Sequence, residues 1–333
     1  MDSTAPQTYK ALVASEQNNQ PPTVQDLPIP TPGRNQVLVK MAYCPLNPSD
    51  LLSLDGFYRI QAQPPYFVGL EGSGTVAAIG QDLNVSHKVG DRVHVHQAGG
   101  LREYVLVDSE QLTPVAEDLS LKEAACHIVN PATVAYMVSL AVRGGHKAAI
   151  STAASSVLGR MFIRYCKEKG VKTINTVRQD KYIEELKKEG ADYVLNSEAP
   201  DFEAKLKELA EKEGATISFD AINGDFPEKL IRNQPANSTC YVYGFLNGGS
   251  LADLANARER GDGKTIRGLG YTTYIEEFKQ RGELDKFYQE IHPRLKTIFK
   301  TEFEKEYSFD NILEALKDYK ENGSRGKIML KMN

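Results

Sequence analysis

With 333 residues, 41% of them hydrophobic and 25% charged, the chain is long enough for more than one buried core. A formal net charge of -4 without a basic cluster argues against nucleic acid as the main partner, and no apolar run approaches the ~20 residues of a membrane span. Cys44, Cys126, Cys166 and Cys240 stand far apart with no CxxC pair, which argues against a disulfide framework or structural zinc lobe and fits a reducing compartment.

Met1-Asp2-Ser3-Thr4-Ala5-Pro6 has neither the apolar core nor the Arg-rich pattern of a targeting segment. The expected location is the cytoplasm, with the mitochondrial matrix left open for a processed presequence. Tyr9–Val13 and Gln36–Lys40 read as strands, the second after the turn Pro32-Gly33-Arg34-Asn35. Cys44-Pro45-Leu46-Asn47-Pro48-Ser49-Asp50 then leads into a loop reaching Gly56-Phe57-Tyr58. Glycines punctuate the strands that follow, at Gly69-Leu70-Glu71-Gly72-Ser73-Gly74, Val89-Gly90-Asp91-Arg92-Val93 and Gly99-Gly100. Residues 9–107 therefore read as one mostly antiparallel β domain. His94 and His96 alternate on one strand, but no third ligand has suitable spacing, so ordinary surface or cleft histidines are expected.

Helical patterning begins near Leu121, and Asn130-Pro131-Ala132-Thr133 interrupts it. From Lys147 strands and helices alternate. Ala148-Ala149-Ile150 is an apolar strand, followed by the small-residue turn Thr152-Ala153-Ala154-Ser155-Ser156. Leu158, Met161, Phe162, Tyr165 and Cys166 recur at helical spacing, and Gly170 ends the helix. Thr173–Val177 is the next strand. Tyr193–Asn196, Ile217–Asp220 and Cys240–Gly244 are further strands, separated by helices at Phe202–Glu213 and Pro227–Asn233. Such alternation implies a parallel sheet with helices on both faces. Leu251–Arg267 reads as polar and irregular, Ile275–Leu295 and Phe309–Tyr319 as helical, and Gly326–Leu330 as a final strand.

A tight turn feeding a helix start exposes backbone N–H groups that bind a dinucleotide pyrophosphate, aided by the helix dipole. The glycine fingerprint GxGxxG is degenerate here: its places are held by Ala154, Ser156 and Gly159, with Ser155 and Val157 between them. An α/β core with no ligand at this turn is the bland alternative. Arg178 directly follows the second strand and Lys181 lies within reach, which favours a 2′-phosphate and so NADP(H) over NAD(H). Asp180 complicates this, since it also stands where an acid would meet the ribose or N-cap a helix over Lys181–Glu189. Tyr243 and Gly244 end a late strand, where open parallel sheets bind ligands.

Taken in order, Asn47-Pro48-Ser49-Asp50, the Gly69–Gly74 segment, Val89–Val93, Val129-Asn130-Pro131-Ala132-Thr133, the degenerate turn, Lys188-Glu189-Gly190-Ala191-Asp192 and Gly326-Lys327 resemble the medium-chain dehydrogenase/reductase superfamily. The resemblance spans nearly the whole chain. It implies an α/β protein with a Gly-rich, GroES-like catalytic β domain over residues 1–127 and 298–333. It also implies a Rossmann-type doubly wound parallel sheet domain over residues 128–297 that would bind the dinucleotide. Asn47 and Leu70 stand where zinc alcohol dehydrogenases carry a cysteine and a histidine ligand, so the chain resembles the zinc-free branch and no metal is expected. Glu71 remains, with a paired structural carboxylate as its expected role.

That branch contains quinone oxidoreductases and 2-enoyl thioester reductases. The resemblance implies an NADPH-dependent reductase of an activated C=C bond or a quinone, with an enone, quinone or 2-enoyl thioester as small-molecule substrate. By its offset from Asn-Pro-Ser-Asp, Tyr58 matches the enoyl reductases' proton donor, with Asn47 holding cofactor or substrate nearby. A loop tyrosine packing without donating is the alternative. Thr133 would lie beside the nicotinamide or serve as an N-cap, and Lys327 is a further cofactor-binding candidate. A homodimer through the cofactor domain is implied. The rival expectation is a non-catalytic cofactor-binding or structural subunit that keeps the fold, motivated by the lost glycines.

Overall fold

The structure is a computed structural model and describes residues 7–15, 20–55, 63–96, 99–248, 258–322 and 326–332. The chain divides into two units, one of residues up to Val129 together with those from Lys300, the other Asn130–Phe299.

In the first unit, β1 (Thr8–Ala14) buries Tyr9, Ala11, Leu12 and Val13 and pairs antiparallel with the largely exposed β2 (Thr23–Pro28). β3 (Gln36–Pro45) leads into α1 (Pro48–Leu54), a helix inside the stretch read as loop. Its start follows from local chemistry. Pro48 at the first position loses no needed N–H, and the Asp50 carboxylate reaches back to accept the Asn47 N–H at 2.8 Å. β4 (Tyr66–Phe67) pairs with β1. β5 (Glu71–Ile79), β6 (Arg92–His96), β7 (Tyr104–Asp108) and β8 (Leu112–Pro114) follow, then the short α2 (Leu121–Ala124), capped by Ser120.

The second unit contains nearly all of α3 (Val129–Arg143), which opens at the last residue of the first. The expected interruption at Asn130-Pro131 is instead this helix's first turn, where a proline is tolerated because its missing N–H has no intrahelical partner. The alternating part is β9 (Ala148–Ser151), α4 (Val157–Lys169), β10 (Lys172–Val177), α5 (Ile183–Glu189), β11 (Tyr193–Asn196), α6 (Phe202–Glu213), β12 (Ile217–Asp220), α7 (Phe226–Arg232) and β13 (Thr239–Val242). Gly170 closes α4 at φ 73, a left-handed position. Two strands lie within the stretch read as irregular, β14 (Arg258–Glu259) and β15 (Thr265–Gly268). Their polar composition hid them; only Thr265 and Ile266 of β15 are buried. Residues 251–257 of that stretch lie outside the described residues.

The sheet order is β11-β10-β9-β12-β13-β15-β14, parallel except for β14 at the edge. Strand order reverses between β9 and β12, the switch point at which doubly wound sheets receive a dinucleotide. Its core packs Ile150, Ile174, Leu206, Leu230 and Val242. α8 (Tyr271–Gln280) and α9 (Leu284–Ile291) complete the unit.

The chain then returns to the first unit. β16 (Phe303–Ser308), α10 (Ile312–Asn322) and β17 (Lys327–Lys331) follow, and β17 lies between β16 and β3. Phe309, Ile312, Leu316 and Leu330 join Val37, Val39, Met41 and Val95 in one core, which ties the two chain segments together. Among the described residues no helix is long and apolar enough to cross a membrane.

Candidate cofactor site and buried polar cluster

The turn after β9 is built to meet α4 closely. A Cβ on Gly159 would lie 2.5 Å from the Ala154 carbonyl oxygen, so the third fingerprint place admits only glycine without a shift. Ser156 is the N-cap: its Oγ accepts the Gly159 N–H at 3.1 Å, and its own N–H goes to Ala153 O at 3.0 Å. Val157 and Leu158 therefore supply the first-turn N–H groups for which a helix has no internal acceptor. Ala154 is buried and donates its N–H to Thr176 O at 3.0 Å, while the Ser155 carbonyl accepts from Arg160 Nε at 3.3 Å. Ala153 holds φ 50, a left-handed conformation usually left to glycine.

Arg178 follows β10 exposed, and no ion pair or hydrogen bond engages it among the described residues. Lys181 is exposed too, its ammonium 4.9 Å over the Tyr182 ring. Asp180 does not N-cap α5. It lies in a 3-10 turn over Asp180–Tyr182, and its Oδ1 accepts from Asn196 Nδ2 at 2.9 Å. The carboxylate is thus engaged by Asn196, and α5 opens at Ile183 without a side-chain cap.

β12 ends at the same crest. Buried Thr152 donates Oγ1–H to Asp220 Oδ1 at 2.8 Å and accepts the Ala221 N–H at 2.8 Å. Asp220 Oδ2 accepts the Asn223 N–H at 2.7 Å. Burial pushes the Asp220 carboxyl up to about 6, against these bonds. Beyond β13, Tyr243 donates its N–H to Asp220 O at 2.8 Å, and a Cβ on Gly244 would lie 2.8 Å from Ala221 O. The Tyr243 hydroxyl is buried and meets no hydrogen-bonding partner. Burial, then the Asp220 charge, holds this phenol protonated well above the usual tyrosine range. Thr133 is not an N-cap. It lies inside α3, bonded to Tyr274 OH at 3.3 Å. A cavity of about 490 Å³ opens at the opposite end of the sheet, beside Ile217 and Thr239 where β12 and β13 begin, away from these loops.

Asn47 and Lys327 belong to the first unit, in a buried polar cluster. Lys327 Nζ donates to Asn47 Oδ1, and Asn47 Nδ2 donates to Glu71 Oε1 at 3.1 Å. Glu71 Oε2 accepts the N–H groups of Ile128 at 2.9 Å and Val129 at 3.0 Å, so the carboxylate sits on the opening of a helix. Asp50 completes the cluster. Burial pushes its carboxyl up to about 7, while its bonds to the N–H groups of Asn47 and Leu70 and the Lys327 charge oppose the shift. Tyr58, the proposed acid, lies outside the described residues.

His94 departs from the expected surface or cleft placement. It is buried, its Nδ1 meets Ala124 O at 2.9 Å, and its ring lies tilted with its centroid 4.5 Å from that of His127. His96 lies 6.2 Å from the same ring. Spacing along the chain gave no reason to join His127 to this pair. Among the described residues no group of three His, Cys, Asp or Glu side chains is arranged to hold a metal.

Residues 33–117 match the family model of the alcohol dehydrogenase GroES-like domain, and residues 157–285 that of the zinc-binding dehydrogenase domain. The chain is 36% identical over 175 residues to a mitochondrial enoyl-[acyl-carrier-protein] reductase of Caenorhabditis elegans, covering 50% of each. It is 31% identical over 223 residues to the synaptic vesicle membrane protein VAT-1 homolog of Rattus norvegicus, covering 66% of this chain and 54% of that one. The chain thus spans about half the length of these curated relatives. The crystal structure of a candidate NADPH:quinone reductase from Mesorhizobium loti superposes with a TM-score of 0.83 at 27% identity, over 98% of this chain and 99% of that one. Two domain models in the expected order, a full-length structural match and the residues at Asn47 and Leu70 converge: the chain belongs to the medium-chain dehydrogenase/reductase superfamily, in its zinc-independent branch of quinone and enoyl reductases.

Proposed function

We propose that the protein is an NADPH-dependent oxidoreductase that reduces an activated C=C bond or a quinone. One observation carries this reading: the unshared N–H groups of Val157 and Leu158 open α4 at the switch point, one strand from the exposed Arg178 guanidinium. The first fits a pyrophosphate and the second a 2′-phosphate. The buried Tyr243 hydroxyl is a further donor without a partner at the same crest, and Lys181 adds a second cation. The donor set therefore fits NADP(H), which when bound supplies the hydride. The names of the relatives, an NADPH:quinone reductase and an enoyl reductase, support the same chemistry.

Hydride addition to the β-carbon of an enoyl group leaves an enolate that needs a proton at the α-carbon. Tyr58 is the proposed donor, since a phenol of ordinary pKa about 10 is protonated at neutral pH. Asn47 and Lys327 enter as a bonded pair that anchors the start of α1, the helix leading toward Tyr58. The test is NADPH oxidation across enoyl thioesters, enones and quinones, in wild type and Tyr58→Phe. Turnover is expected in at least one class, with a larger loss for the enoyl substrate than for the quinone. Unchanged enoyl turnover would remove Tyr58 as the acid.

A second reading is a subunit that keeps the fold without catalysis. What favours it is the turn, where Ala153, Ala154 and Ser156 stand in place of more permissive residues. Failure to bind either NADPH or NADH would decide for it. We also propose a homodimer through the cofactor domain, with β14 at the sheet edge as the surface, and a cytoplasmic or mitochondrial location. Sedimentation and cell fractionation test these.

A further inference from the structure

Thr152 and Asp220 are buried at the switch point, and their polar atoms are engaged by one another and by the backbone of the neighbouring loop. Their bonds link each loop of the crest to the next. Thr152 opens the turn after β9, and its hydroxyl serves Asp220 and the Ala221 N–H at once. Asp220 holds the Asn223 N–H, fixing a loop in which Asn223 and Gly224 both take left-handed φ values of 65 and 64. That loop accepts the next one: Leu246 N–H goes to Ala221 O at 3.0 Å and Asn247 N–H to Ile222 O at 2.8 Å. Asn223 Nδ2 adds a bond to Gly248 O at 3.1 Å.

We propose that Asp220, acting through Thr152, is a positioning residue for the dinucleotide: it locks the turn at Ala153–Ser156 to the loops at Ala221–Gly224 and Tyr243–Gly248 before the cofactor arrives. The inference rests on the cofactor reading above. It supplies what the degenerate fingerprint removes. Where glycines would let the turn settle around a phosphate, a side-chain lock holds a stiffer turn in place.

The lock has a chemical direction. Both carboxylate oxygens accept, one from a hydroxyl and one from a backbone N–H. Asp220→Asn turns one acceptor into a donor, so either Thr152 must reverse its hydrogen or the Asn223 N–H faces an NH2. Protonation has a similar effect, because the carboxyl then carries a hydrogen on one oxygen. The titratable groups facing Asp220 are the Tyr243 phenol and the Cys240 thiol, both held protonated by burial.

NADPH titration by fluorescence, from about pH 8 to about pH 5, tests this in wild type, Asp220→Asn, Thr152→Val and Thr152→Ser. The 2′-phosphate of the ligand also titrates, but identically for every protein, so the comparison is between proteins. Expected is about a tenfold weaker affinity in Thr152→Val at neutral pH, restored in Thr152→Ser. Wild type should lose affinity relative to Asp220→Asn as pH falls through about 6. A purely structural pair would lower melting temperature in Thr152→Val yet leave affinity and the pH difference untouched, and that result overturns the lock. Wild type that does not bind NADPH overturns the cofactor reading and the lock with it.

Discussion

Asn47 and Glu71 are joined inside the first unit, the Asn47 amide donating to one carboxylate oxygen at 3.1 Å while the other oxygen holds the N–H groups of Ile128 and Val129. Every donor around Glu71 is thereby satisfied by an acceptor-only group. Glu71→Gln keeps the shape but turns an NH2 toward one set of donors. The expected loss is about 1–3 kcal/mol of unfolding free energy, read by urea denaturation. Unchanged stability would mean the carboxylate is dispensable to the unit.

Asp50 should leave a signature in the pH dependence of stability. Burial raises its folded pKa to about 7, above the ordinary aspartate value, so the folded state binds this proton more tightly than the unfolded state. The contribution to stability is full at low pH. It falls as pH rises from the unfolded pKa of about 4 and levels off above about 7. Asp50→Asn abolishes that slope, although it gives up one of the bonds to Asn47 and Leu70. Denaturation at several pH values should show wild type losing a few kcal/mol, on the order of the pKa difference, relative to the variant across that window. Parallel curves for the two proteins would place the titration elsewhere.

Ala153 occupies a left-handed conformation that costs a residue with a Cβ about 1–2 kcal/mol. Ala153→Gly relieves that strain but frees the unfolded chain, so thermal denaturation should change by less than about 1 kcal/mol. Ala153→Val adds branching at the same φ and should lose at least about 2 kcal/mol. Equal effects of the two substitutions would contradict the strain.

Gly159→Ala drives a methyl to within 2.5 Å of the Ala154 carbonyl oxygen. The turn and α4 must separate, with an expected destabilisation of about 1–3 kcal/mol and weakened binding of NADPH and NADH alike. Calorimetry and nucleotide titration on the same sample check both halves. A variant that binds normally would show that close approach is not needed there.

The strand–helix alternation from Ala148 onward was legible because apolar periodicity and helix-ending glycines are local signals, as at Phe202–Glu213 and Gly170. Gly159 was legible too, since its steric need is set within one turn. What escaped depended on distant partners or on polar residues made regular by pairing. β15 is polar on its surface, and its place between β13 and β14 makes it a strand. The helix at Asn130-Pro131 read as a break because a proline in a first turn looks like a terminator. His127 joined His94 only through the fold. Thr152 and Asp220 are 68 positions apart, and nothing in either neighbourhood announces their bond.

Selection of the phosphorylated nucleotide is proposed to rest on Arg178, exposed after β10. The most direct measurement is parallel titration of wild type and Arg178→Ala with NADPH and NADH. Wild type should prefer NADPH, and the variant should bind NADPH about tenfold or more weakly while NADH binds as before. Equal loss for both nucleotides, or no preference in wild type, would contradict it.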